Sequence, residues 1–165
     1  MIVVVMGVSG SGKSTIGKLL AERADAIFAD ADDYHPAANK AKMAAGHPLD
    51  DADRQPWLET LNALLREWHG GGTNGVLACS ALKDTYRHTL AAGMPDGAVT
   101  FCLLDLPREL LQQRLAARHH EFMTPALLDS QLATLEAPSD ALVVKNDREP
   151  EAVVTEILQR IQSAN

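Results

Sequence analysis

GVSGSGKST, residues 7–15, is the most informative stretch of this 165-residue chain. Gly7, four intervening residues, then Gly12, Lys13 and Ser14 complete the pattern G-x-x-x-x-G-K-[ST]. The apolar run IVVVM (2–6) precedes it and helical spacing opens near Lys13, which predicts a strand, a tight loop and a helix. Glycines let the backbone curl so that successive N–H groups converge on phosphate oxygens, and a helix N-terminus adds partial positive charge. Lys13 is placed to neutralise the β- and γ-phosphates of a nucleotide, and Ser14 offers a hydroxyl to Mg²⁺. Gly7, Ser9, Gly10, Ser11, Gly12, Lys13, Ser14 and Thr15 are therefore the candidate nucleotide-binding residues.

The rest of the chain repeats the strand–helix alternation. Further apolar runs at 26–29, 76–79, 98–104 and 141–145 read as buried strands. Between them, Trp57, Leu58, Leu61, Leu64, Leu65 and Trp68 share one helical face, with Pro56 expected in the first turn and both tryptophans expected in the core. HGGGTNG (69–75) ends that helix, and Val153, Val154, Ile157, Leu158 and Ile161 stripe a closing one. Such alternation predicts one α/β domain whose parallel sheet is covered on both faces.

Composition narrows the function classes. Fifteen basic against 22 acidic side chains, a formal charge of −7, oppose a broad nucleic-acid face or attraction to an anionic membrane. MIVVVM at the start lacks a basic lead and is too short for a signal sequence or a span. Cys79 and Cys102 lie in apolar runs and read as buried strand thiols, which suits a reducing cytoplasm.

The second strand runs into DADDYHPAANKAKM (30–43). Asp30 and Asp32 stand two apart, so an extended segment would point both side chains toward the ligand crevice at the strand ends. Asp30 is the candidate partner of Ser14 at the metal, and Asp32 the candidate to orient or deprotonate an acceptor hydroxyl. Asp33 reads as a turn or solvent residue.

At this point the residues carry a resemblance. GVSGSGKST, DADDYHPAANKAKMAAGHPLDDADRQPWLETL (30–61), CSALKDTYRHTL (79–90) and LLDSQLATLE (127–136) together resemble the gluconate kinase (gluconokinase) family. The likeness runs from residue 1 to about residue 138, and its middle segment is far more specific than the phosphate loop alone. It implies a P-loop, nucleoside-kinase-like three-layer fold with a five-stranded parallel sheet and a small lid at about 114–136. The implied reaction is phosphorylation of D-gluconate on its 6-hydroxyl, with ATP and Mg²⁺, and the family suggests a homodimer. A sugar acid needs a cation for its carboxylate. Arg54 is the first candidate, since guanidinium grips carboxylate bidentately; pairing with Asp50, Asp51 or Asp53 is the alternative. Lys83 and Arg87, four apart on a helix that Ser80 is placed to cap, are expected to face substrate or phosphate, or else solvent. His35 is a candidate donor to a substrate hydroxyl.

Arg114 and Arg118, one helical turn apart in PRELLQQRLAARHHEFMTP (107–125), are the candidate lid cations for the transferring phosphoryl. Here the chain departs from the family pattern, with His120-Glu121-Phe122 where glycine-histidine-phenylalanine is usual, and His88 after Tyr86-Arg87 where aspartate is usual; no role transfers to His119, His120 or Glu121. VKNDREP (144–150), after the last strand, is the expected location of the adenine pocket. Two other readings compete. A shikimate-type or other small-molecule kinase shares the loop and the Asp-x-Asp. A nucleotide switch would carry an Asn-Lys-x-Asp motif, and this chain has Lys145-Asn146-Asp147 in a different order.

Overall fold

The computed structural model describes residues 1–117 and 125–164. Five strands form one parallel sheet: β1 (Ile2–Met6), β2 (Ile27–Asp30), β3 (Gly75–Ala78), β4 (Thr100–Asp105) and β5 (Leu142–Lys145), in the order β2-β3-β1-β4-β5. Among the described residues the helices are α1 (Lys13–Arg23), α2 (Ala37–Ala44), α3 (Asp51–Gly70), α4 (Asp84–Ala91), α5 (Arg108–Ala117), α6 (Pro125–Thr134) and α7 (Pro150–Ser163). The expected strands stand within two residues of their predicted limits.

β1 lies at the centre, with Val3 in register with both Val76 and Thr100, so it must be apolar on both faces. Its side chains divide by parity. Ile2, Val4 and Met6 pack with Trp57, Leu61, Leu65 and Trp68 of α3, while Val3 and Val5 pack with Ile16 and Leu20 of α1 and Val154 and Ile157 of α7. Each fully buried side chain of this size contributes roughly 1.5–3 kcal/mol, which is why the unbroken run IVVVM belongs in the middle. Gly75 lets β3 close on α3: a Cβ there would stand 2.2 Å from Trp68 Cε3. Cys79 and Cys102 are free thiols on opposite faces of the sheet, both pushed up to about 12 by burial. A third apolar group, Val8, Leu106, Leu111 and Leu128 among it, seats α5 and α6 beside the loop after β1.

Two helix starts differ from expectation. α3 begins a turn before Pro56, because Asp50 accepts from the Asp53 amide at 2.7 Å and Asp53 returns the bond to the Asp50 amide at 2.9 Å. Pro56 therefore sits inside the helix. Ser80 does not cap α4. Lys83 occupies the cap position, and the Asp84 amide instead donates to Glu136 Oε1 at 3.1 Å, a carboxylate brought from 52 positions away.

Candidate active site

The phosphate loop joins β1 to α1 at the carboxyl edge of the sheet, where parallel α/β sheets open their ligand crevice. Gly12 precedes α1 with φ 92° and ψ 20°, and no side chain caps the helix, so its first turn is directed at the crevice. Only glycine fits there: a Cβ would stand 2.5 Å from Asn146 Nδ2. Asn146 is 4% exposed, and its Nδ2 donates to Ser11 O at 2.7 Å, fastening the loop to the segment after β5. Lys13 lies back across the loop, with Nζ donating to Gly7 O at 2.9 Å and Val8 O at 3.1 Å.

Arg114 reaches this region from α5. Its Nη2 donates to Asn146 O at 2.8 Å, and with Gly12, Thr15, Ile16, Arg148 and Pro150 it lines a cleft of about 310 Å³. That cleft adjoins the loop and includes the segment expected to house adenine. From α6, Gln131 meets Ser9 at the loop's tip with both ends of its amide. From sequence, neither Asn146 nor Gln131 was expected to hold the phosphate loop.

The aspartate pair is held differently from an extended Asp-x-Asp. Ser14 Oγ donates to Asp30 Oδ2 at 2.9 Å, while Asp30 Oδ1 accepts from the Asp32 amide at 3.0 Å. That second bond starts a 3₁₀ turn over Ala31–Tyr34 and ends the strand at Asp30, so parity does not govern Asp32. Asp33 falls in the same turn. Proximity survives nonetheless. Asp32 has its pKa raised, chiefly by desolvation where the carboxyl meets the protein and next by the charge of Asp30, against the lowering pull of Lys13.

Beyond the turn, the His35 ring stacks on Trp57, centroids 4.2 Å apart and planes within 14°. Trp57 is thus core, as expected, and also the platform of a candidate site residue; its indole N–H donates to Ala31 O at 2.7 Å. Arg54 forms no ion pair with Asp50, Asp51 or Asp53. Its Nη1 donates to the Tyr86 hydroxyl at 3.1 Å, and the guanidinium lies 5.6 Å from that ring's centre. Lys83 Nζ lies 5.5 Å from the same ring and bonds both Asp51 oxygens, at 3.1 and 3.2 Å. Tyr86 in turn donates to Asp51, whose carboxyl is held below the usual range by the Tyr86 and Lys83 bonds. Arg54 and Lys83 so form a cationic pair around one tyrosine.

Arg87 requires a correction. It is 6% exposed, and its guanidinium is engaged by the protein itself, donating to Ala81 O at 2.7 Å, to Glu136 O at 2.9 Å and to Asp84. It diverges from Lys83 because Lys83 precedes the helix while Arg87 lies on its inner face. It clamps α4 to the chain after α6. His88, at the family's aspartate position, turns back on its own helix, with Nδ1 3.0 Å from Asp84 O. Arg118, together with His119, His120 and Glu121, lies outside the described residues.

A family model described as an AAA domain matches residues 2–138. A probable gluconokinase of Xenopus tropicalis is 42% identical over 173 residues, covering 95% of this chain and 91% of its own length. A gluconokinase of Gluconobacter oxydans (strain 621H) is 43% identical over 163 residues, covering 97% of this chain and 90% of its own. Among solved structures, a gluconokinase from Sinorhizobium meliloti 1021 matches with a TM-score of 0.86 at 37% identity, covering 99% of this chain and 92% of that one.

Proposed function

The chain belongs to the gluconokinase family of P-loop kinases, and on that footing we propose that it transfers the γ-phosphoryl of ATP to the 6-hydroxyl of D-gluconate, giving 6-phosphogluconate. One observation carries the reading beyond family membership. The complete phosphate loop faces the same carboxyl edge as a cationic pair, Arg54 and Lys83, suited to a small carboxylate.

ATP lies with its phosphates in the loop and its base in the cleft beside Arg114, Arg148 and Pro150. Gly7, Ser9, Gly10, Ser11, Gly12 and Thr15 shape that seat, and Lys13 neutralises the β/γ-phosphates. Gluconate's carboxylate meets Arg54 and Lys83, and His35 donates to one of its hydroxyls. Asp32 accepts the proton of the attacking hydroxyl; its raised pKa brings it toward the range useful for a base. Arg114, joined by Arg118 from a lid spanning about 114–136, counters charge on the transferring phosphoryl.

Ser14 Oγ and Asp30 Oδ2, adjacent hard oxygens beside the loop, fit Mg²⁺, an ion that takes few protein ligands alongside phosphate oxygens. When bound there, the ion would supply positive charge against the phosphates of ATP. Residence in the cytoplasm, on the two buried thiols, and assembly as a homodimer, on the family resemblance, belong to this proposal. Among the described residues, no helix is long and apolar enough to cross a membrane.

An acceptor screen tests the reading: ATP consumption with gluconate, its epimers, shikimate, nucleoside monophosphates and no acceptor. Gluconate should give the highest kcat/KM. A preference for shikimate would favour the related small-molecule kinases. Turnover equal with and without acceptors would remove kinase activity from the account.

A further inference from the structure

Asn39, on α2, is 5% exposed and lies between His35 and α3. Its Nδ2 stands 2.8 Å from the backbone oxygen of Asp53 and 3.3 Å from His35 Nδ1. A carbonyl oxygen can only accept, so the atom facing Asp53 must be the amide nitrogen, which fixes the orientation of the amide. That NH₂ has two hydrogens. One serves Asp53 O, leaving the other for His35 Nδ1. A ring nitrogen that accepts carries a lone pair, so the imidazole hydrogen resides on Nε2.

We infer that Asn39 is a positioning residue that fixes His35 as the neutral tautomer with its hydrogen on Nε2, making the ring a hydrogen-bond donor. That this donor serves the acceptor substrate rests on the function proposed above. Protonation of the ring would set a second N–H against the Asn39 N–H. Turning the amide over would relieve that clash only by setting its oxygen against the Asp53 carbonyl. Stacking on Trp57 holds the plane of the ring against this contact.

The charged surroundings act in the same direction. Arg54 on α3 and Lys40 on α2 both oppose a positive imidazole, after burial, which is the largest influence lowering its pKa. Asp53, the nearby carboxylate on α3, is engaged by Lys42 and by the Asp50 amide. The sugar acid's own charge is therefore left to Arg54 and Lys83, while His35 remains an uncharged donor to a hydroxyl.

The test is a two-bond ¹⁵N–¹H spectrum of the intact enzyme labelled at histidine, with the His35 signals identified by their loss in His35→Gln. Wild type should show one neutral tautomer at pH 7, hydrogen on Nε2, persisting as pH falls through the ordinary histidine range. In Asn39→Ala the tautomers should mix and the titration midpoint should rise. Asn39→Asp, whose carboxylate accepts from Nδ1–H, should raise it further. KM for gluconate in Asn39→Ala should increase several-fold, most strongly between about pH 5.5 and 7, with KM for ATP unchanged. An imidazolium at pH 7 or an Nδ1–H tautomer in wild type, or an unaltered tautomer in a folded Asn39→Ala, would overturn the inference. The wild-type spectrum decides the matter even if the variants fail to fold. If the tautomer is as expected but His35→Gln leaves KM for gluconate unchanged, the lock is upheld and the substrate role of His35 falls.

Discussion

Gln131 of α6 and Ser9 of the phosphate loop hold each other through two hydrogen bonds across 122 positions of chain: the Ser9 amide donates to Gln131 Oε1 at 2.7 Å, and Gln131 Nε2 donates to Ser9 Oγ at 3.2 Å. The tip of the nucleotide loop is thus tied to α6, a helix inside the expected lid segment. A net bond of this type contributes about 0.5–1.5 kcal/mol. Gln131→Ala should raise KM for ATP by roughly two- to thirteenfold for each bond lost while KM for gluconate changes little. An effect confined to gluconate would place Gln131 outside the nucleotide machinery.

Lys13→Ala removes the cation fixed beside Gly7 and Val8. Phosphoryl transfer should fall by at least about a hundredfold, with the fold intact by circular dichroism. Near-normal turnover would contradict the placement of the phosphates.

Arg54→Ala should raise KM for gluconate far more than KM for ATP, and glucose should be a poor acceptor for wild type because it brings no carboxylate to Arg54. Tyr86→Phe keeps the ring but removes the hydroxyl joining Arg54 to Asp51. Its effect on gluconate should be in the same direction and smaller. Equal effects on both substrates would assign Arg54 to structure.

Much of this arrangement was readable from residue order, and what escaped did so for identifiable reasons. Strand positions followed from apolar runs because a central parallel strand is buried on both faces, as β1 is. The true start of α3 had a local signal, Asp50-x-x-Asp53, outweighed by the pull of Pro56 toward a first turn. Arg87 had none. Its burial depends on the carbonyl of Glu136, 49 positions away, and such side chain–backbone bonds leave no periodic trace. Asn146 and Gln131 reach the loop in the same way, over 135 and 122 positions. Parity does not reach Asp32, since the Asp30 carboxylate itself turns the chain there.

Asp30 and Asp32 should separate kinetically. Asp30→Asn should weaken the response to Mg²⁺, and Asp32→Asn should depress kcat with ATP affinity largely kept. The raised pKa of Asp32 means that the folded state binds this proton more tightly than the unfolded chain, so its ionised form costs stability at neutral pH. Asp32→Asn should therefore leave Tm unchanged or slightly higher while turnover collapses. In wild type, kcat should decline as pH falls through that raised value, where the base becomes protonated. Identical magnesium titrations for the two variants would contradict the division of roles.

The most direct test follows the phosphoryl group itself. Uniformly ¹³C-labelled D-gluconate incubated with ATP, Mg²⁺ and the enzyme should yield one phosphomonoester per ADP, with ³¹P coupling to C6 and C5. A phosphoryl group on another carbon, or ADP accumulating at the same rate while gluconate stays unmodified, would contradict the account.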